Sequence, residues 1–145
     1  MARIKLDING PLIFKARICV RISDINYGNH VGNDAFVSMI HEARMQWLNT
    51  KDFSELDIQG TGLIMSDLVL EFKQEAFYGE HLEVEVIKGE VSKVSFELYY
   101  VIYTTRPRGR ELLCKAKTGM VCYNYAQKKV SAIPPALTEL LETVL

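Results

Sequence analysis

Asp24-Ile25-Asn26-Tyr27-Gly28-Asn29-His30-Val31-Gly32-Asn33 joins a strand-like run to an apolar helical one, and how these ten residues are read decides the fold. Ahead of them, Ala16-Arg17-Ile18-Cys19-Val20-Arg21-Ile22 alternates in places between apolar and polar residues, as a half-buried strand does. Behind them, Phe36, Val37, Ile40, Ala43, Arg44, Trp47 and Leu48 recur at helical spacing, with Asn33 or Asp34 suited to cap the first turn. A polar loop that ends at a helix N-terminus presents free backbone N–H groups and the positive end of the helix dipole. Together these can polarise a carbonyl oxygen or hold an anion. The chemistry is therefore expected here.

Working outward, residues 1–12 read as a lead-in punctuated by Gly10-Pro11, and Asn49 to Gly62 as a mixed loop able to cover one end of the site. From Leu63 the period changes to two. Leu68, Leu70 and Phe72 alternate with Val69, Glu71 and Lys73, and Leu82, Val84 and Val86 alternate with Glu83, Glu85 and Ile87. Val94 to Tyr103 is β-branched and aromatic, Arg106-Pro107-Arg108-Gly109-Arg110 reads as a turn, and another strand is expected around Leu112 to Tyr125. An antiparallel meander follows. The early helix carries apolar residues on more than one face, so a curved antiparallel sheet must wrap it in an α+β arrangement. Such a sheet leaves an edge and an apolar face without a partner, which favours a homodimer.

Composition narrows the function classes. A chain of 145 residues, 48% hydrophobic and 24% charged, has the size and balance of one domain with a real core, so residues 1–145 are expected to form one unit. The net charge of −1 provides no global field for nucleic acid or an anionic membrane. No stretch approaches the roughly 20 apolar residues that span a bilayer, and no leader pattern opens the chain, so a cytoplasmic protein with no membrane partner is expected. Cys19, Cys114 and Cys122 are too scattered for a disulfide framework or zinc cluster, and His41 and His81 carry no ligand spacing. No metal is expected.

The motif Asp24-x-Asn26-x-x-x-His30-Val31-x-Asn33, with His41-Glu42-Ala43-Arg44 on the helix, resembles the signature of hotdog-fold acyl-CoA and acyl-carrier-protein thioesterases, the 4-hydroxybenzoyl-CoA thioesterase-like group. Glu71-Phe72-Lys73, then Tyr78 to Val84, then Lys129 to Pro134 extend the likeness across most of the chain. The resemblance implies a hotdog fold, a sheet wrapped around one long helix. It also implies thioester hydrolysis at a subunit boundary, in a homodimer or homotetramer, with coenzyme A as part of the substrate and no other cofactor. One departure stands out: the family's second aspartate, often base or nucleophile, aligns here with Asn26.

The candidate residues follow from that loop. Asn26 can hold water but cannot take its proton. His30, which the resemblance places near the thioester carbonyl, is either a donor to the thioester and holder of water or an imidazole tying the loop down. Asp24 is a candidate proton acceptor, with closure of the turn as its structural alternative. Glu42, on a helix stripe with Ser38 and Gln46, is the other candidate acceptor, or else an ion-pair partner for the loop. Gly28 and Gly32 are read as positions needing permissive backbone angles. Backbone N–H groups from Val31 to Asn33 are the expected oxyanion donors, Asn33 itself being first a cap. Arg106, Arg108 and Arg110, with Lys115 and Lys117, form a local basic cluster; Arg108 and Arg110 are candidates for substrate phosphates, against a solvated hairpin tip. Tyr27, Phe36, Trp47 and Phe53 are candidate pocket walls. The competing reading is a hotdog protein that binds acyl-CoA or acyl-carrier protein without turning it over, with a hydratase placed last.

Overall fold

The computed structural model describes residues 2–145. Strand β1 (Leu12–Cys19) leads through a 3-10 turn (Ile22–Asp24) and the loop to helix α1 (Asn33–Asn49). Four long strands follow, β2 (Gly62–Phe72), β3 (His81–Val91), β4 (Ser95–Arg106) and β5 (Gly109–Asn124), then the short β6 (Lys129–Val130) and helix α2 (Pro135–Glu142). The sheet is antiparallel with order β1-β3-β4-β5-β2, and β6 pairs with β5. The predicted meander is therefore β3-β4-β5, while β1 and β2 occupy the edges.

Period-two patterning fixes the register. Leu82, Val84 and Val86 on β3, Phe96, Leu98, Tyr100 and Ile102 on β4, and Cys114, Ala116, Met120 and Cys122 on β5 all point into the core. Val84 pairs with Ile102 and Tyr100 with Ala116, so a slip of one residue would turn this whole apolar set to solvent. Each of the Val, Leu, Ile, Phe and Met side chains among them contributes on the order of 1.5–3 kcal/mol by leaving water. The opposite face is held by charge. Lys117 Nζ lies 3.0 Å from Asp67 Oδ2 and 3.2 Å from Glu97 Oε2.

Helix α1 is buried along a broad stripe: Ala35, Phe36, Met39, Ile40, Ala43, Arg44, Trp47 and Leu48. The pairs recur every four residues and drift round the helix, so burial extends over more than one face, as expected for a helix that a curved sheet wraps. Arg44 lies in that stripe without leaving a bare charge. Its Nε donates to Glu55 Oε2 at 2.9 Å and its Nη1 to Tyr100 Oη at 3.2 Å, and Tyr100 Oη is 2.8 Å from Thr118 Oγ1. Glu55 is also bonded to His41 Nε2, so the 50–61 loop is fastened down on the helix. The unpredicted α2 has a legible origin in Pro135 at its first position and the buried Leu137, Leu140 and Leu141 at helical spacing. Among the described residues, no helix is long and apolar enough to cross a membrane.

Candidate active site

The loop from Asp24 to Asn33 is a tight hairpin. Ile25 and Val31 form a bridge, Asn26 N–H donates to His30 O at 2.9 Å, and Asn29 N–H to Asn26 O at 3.1 Å. Tyr27, Gly28 and Asn29 therefore make a three-residue turn, which requires its third residue in the left-handed region. That residue is Asn29, with φ 63°. Gly28 and Gly32, read as positions needing permissive backbone angles, do not have positive φ; they give room instead. A Cβ on Gly32 would lie 2.5 Å from Asp34 Oδ1, and one on Gly28 would lie 3.1 Å from His30 Nε2. Asn26 Oδ1 accepts Gly28 N–H at 2.8 Å, so the carboxamide closes the turn and keeps only its N–H groups to offer.

The loop delivers the start of α1 with one backbone donor open. The helix N-cap is Gly32, not Asn33 or Asp34, because Gly32 O takes Ala35 N–H and Phe36 N–H. Of the expected oxyanion donors, Val31 N–H is used by Ala76 O at 2.8 Å and Gly32 N–H by Asp24 O at 3.1 Å. Asn33 N–H has no acceptor among the described residues, while its side-chain Oδ1 takes Asp34 N–H at 2.8 Å. One free N–H at the positive end of a 17-residue helix remains.

His30 stands beside it. His30, Val31, Asn33, Phe36, Phe72, Lys73, Gln74 and Glu75 line a hollow of ≈ 260 Å³. Phe36 and Phe72 form an apolar wall, their ring centroids 5.7 Å apart. His30 Nδ1 is 3.1 Å from Val31 O. A carbonyl oxygen can only accept, so Nδ1 carries the hydrogen and the neutral ring keeps a lone pair on Nε2. Nε2 lies 3.8 Å from Glu75 Oε1 on the β2–β3 connection.

The two carboxylates named from sequence lie elsewhere. Asp24 Oδ2 accepts Arg21 N–H at 2.8 Å, which makes the side chain a brace for the 3-10 turn. Glu42 is exposed and accepts Gln46 Nε2 at 2.7 Å. Both border a second hollow of ≈ 370 Å³ with Arg17, Arg21, Ser38 and Gln46, and neither borders the hollow that holds His30. The carboxylate that does reach His30 is Glu75, which the sequence reading missed. It lies 45 positions along the chain and carries no local motif.

The basic cluster is mostly spent. Arg110 is bonded to Glu83 and Glu85 and stacks 3.6 Å from the Tyr103 ring centre, so it is not open to a phosphate. Arg106 is held by Glu80 and Glu111, each at 2.8 Å. Arg108 is exposed and has no carboxylate partner among the described residues. Of the four proposed walls, Phe36 lines the hollow, Trp47 packs edge-on against Phe96 in the core, Phe53 packs on the core, and Tyr27 is fully exposed. Among the described residues, no group of three His, Cys, Asp or Glu side chains is placed to hold a metal ion.

A helix N-terminus and an imidazole thus meet at the rim of an apolar hollow, carried on a sheet that wraps the helix. Residues 20–141 match the family model of the thioesterase-like superfamily, and the chain belongs to that superfamily. A 1,4-dihydroxy-2-naphthoyl-CoA thioesterase from Synechocystis is similar in structure, with a TM-score of 0.79, 24% identity, and coverage of 88% of this chain and 94% of that one. A hypothetical protein from Aquifex aeolicus gives a TM-score of 0.79 at 23% identity, over 89% and 99% of the two chains. The 4-hydroxybenzoyl-CoA thioesterase from Pseudomonas sp. strain CBS-3 gives 0.76 at 16% identity, over 88% and 97%. The hotdog architecture is shared with all three.

Proposed function

We propose that this protein hydrolyses an acyl thioester, with coenzyme A as the carrier in preference to acyl-carrier protein, at the hollow between the 24–33 loop and the β2–β3 connection. The observation that carries this reading is the pairing of Asn33 N–H, free at the start of α1, with His30 Nε2, free because Nδ1 is engaged. The thioester oxygen sits against Asn33 N–H, where the helix dipole favours the charge that develops on it. Water adds to the carbonyl carbon, the carbonyl π pair moves to oxygen, and a water proton passes to His30 Nε2. When the intermediate collapses, the C–S pair leaves on sulfur and the Nε2 proton goes to the thiolate. The products are acid and thiol, and the imidazole is restored. Asn26 contributes amide N–H groups that orient water; Arg108 is the exposed cation left to meet a phosphate.

A second copy of the chain completes the assembly in this reading. Edge strand β2 pairs on one side only and exposes Ile64, Met65 and Phe72. The protein works in the cytoplasm, free of membrane and nucleic acid.

The test is thiol release over short, long and aromatic acyl-CoAs, on wild type beside His30→Ala. Turnover by wild type and a loss of about 100-fold or more in the variant are expected. If none is turned over while an acyl-CoA raises the melting temperature, the chain is the binding protein of the competing reading.

A further inference from the structure

We infer that Glu75 is the positioning residue for the His30 imidazole, a carboxylate that faces the charge the ring acquires when Nε2 takes the proton of the attacking water. This rests on the thioester hydrolysis proposed above and names the carboxylate that the sequence motif lacks at Asn26. Of the other carboxylates near the loop, Asp34 packs on Gly32 and does not line the hollow that holds His30, and two more are excluded by their bonds. Asp24 is engaged by Arg21 N–H and Glu42 by Gln46, both around the other hollow. Among the described residues, Glu75 is the carboxylate that faces His30, with Oε1 3.8 Å from Nε2. The other charged group on this hollow, Lys73, is committed to Glu71 at 2.6 Å.

The backbone that carries Glu75 is fixed from two sides. Arg106 Nη2 donates to Glu75 O at 2.7 Å, and the next carbonyl, Ala76 O, accepts Val31 N–H at 2.8 Å, one residue from His30. The side chain itself is 61% exposed, and a carboxylate is an acceptor only, so it takes no hydrogen bond from the bare Nε2 of the neutral imidazole. It acts when the ring is charged. Proton transfer from water to Nε2 turns a neutral neighbour into a cation 3.8 Å from a carboxylate, an interaction stronger in the transition state than before it. When Nε2 returns its proton to the thiolate, the carboxylate is unchanged. It takes part in no bond to substrate.

The experiment is steady-state thiol release by wild type, Glu75→Gln, Glu75→Asp, His30→Gln and the double variant Glu75→Gln/His30→Gln. Because Glu75 is exposed, the variants keep the fold, checked by circular dichroism. Glu75→Gln is expected to lower kcat about tenfold to a hundredfold with KM within about threefold, Glu75→Asp to retain more of the rate, and the double variant to fall no further than His30→Gln alone. If wild type is active and Glu75→Gln keeps its kcat, changes KM alone, or multiplies the His30 loss, the inference is overturned and the hydrolysis reading survives. If wild type turns over no acyl-CoA, both fall together.

Discussion

Arg106 Nη2 donates to the carbonyl oxygen of Glu75 at 2.7 Å, so the last residue of β4 holds the connection that approaches His30. The same guanidinium takes both oxygens of Glu80, at 2.9 and 2.8 Å, and Glu111 Oε2 at 2.8 Å. Its planar fork makes these contacts at once, which a lysine cannot do. A residue that reads in sequence as part of a phosphate-binding turn is a structural clamp.

Arg106→Gln is therefore expected to destabilise the fold by about 2–3 kcal/mol in urea at neutral pH. The loss should depend on acid. Hydrogen bonds from Arg106, opposed by burial and aided by Phe77 N–H, hold the Glu80 carboxyl below its ordinary value of 4.5. A carboxyl lowered in the folded state stabilises fully above the unfolded value, and that contribution is lost as pH falls through the folded one. The gap between wild type and variant should thus narrow as pH drops below 4.5. Denaturation midpoints that keep a constant gap from about pH 7 to about pH 3 would refute the clamp.

Local rules account for what the sequence revealed. The helix begins at Asn33 because the loop ends there, and β3 and β4 follow their period of two. Edge strand β2, with a register shift between Met65 and Asp67, does not bury Leu68, Leu70 and Phe72 in alternation with Val69 and Glu71. Register was not legible, and register disposes of the arginines: β3 and β4 set Glu83 opposite Tyr103, and Thr105 opposite Arg110, so Arg110 lies over that ring and carboxylate. The same limit hid Glu75. Its approach to His30 depends on a bond between Val31 and Ala76, a contact between distant segments that no periodicity encodes. Glycine was misread for a narrower reason. The turn places its left-handed residue third, at Asn29, and an asparagine tolerates that region well enough to leave the glycines free for close packing.

The three cysteines should separate by reactivity. Burial pushes the Cys114 thiol up to about 12 and the Cys122 thiol up to about 11, whereas Cys19 is exposed. The thiolate is the nucleophile, so at about pH 8 the two core thiols stay protonated and inert. Iodoacetamide on native protein is expected to alkylate Cys19, with Cys114 and Cys122 following only in denaturant. Peptide mass mapping reads this directly. Native-state labelling of either core cysteine on the Cys19 timescale would contradict the packing of β5.

The free N–H of Asn33 can be removed without breaking the helix that presents it. Proline is favoured at a first helical position, where no intrahelical bond is lost, and Gly32 already has the extended conformation, φ −70° and ψ 156°, that a residue before proline adopts. Asn33→Pro and Asn33→Ala both delete the side-chain oxygen that accepts Asp34 N–H. They differ at the backbone donor. Stabilities within about 1 kcal/mol of each other are expected, measured by urea denaturation. Rates should part: Asn33→Ala keeps turnover within a few-fold of wild type, while Asn33→Pro loses about a hundredfold to a thousandfold in kcat, as removal of an oxyanion donor does. Equal kcat in the two variants would mean that the helix start does not hold the developing charge. The thioester would then be polarised elsewhere.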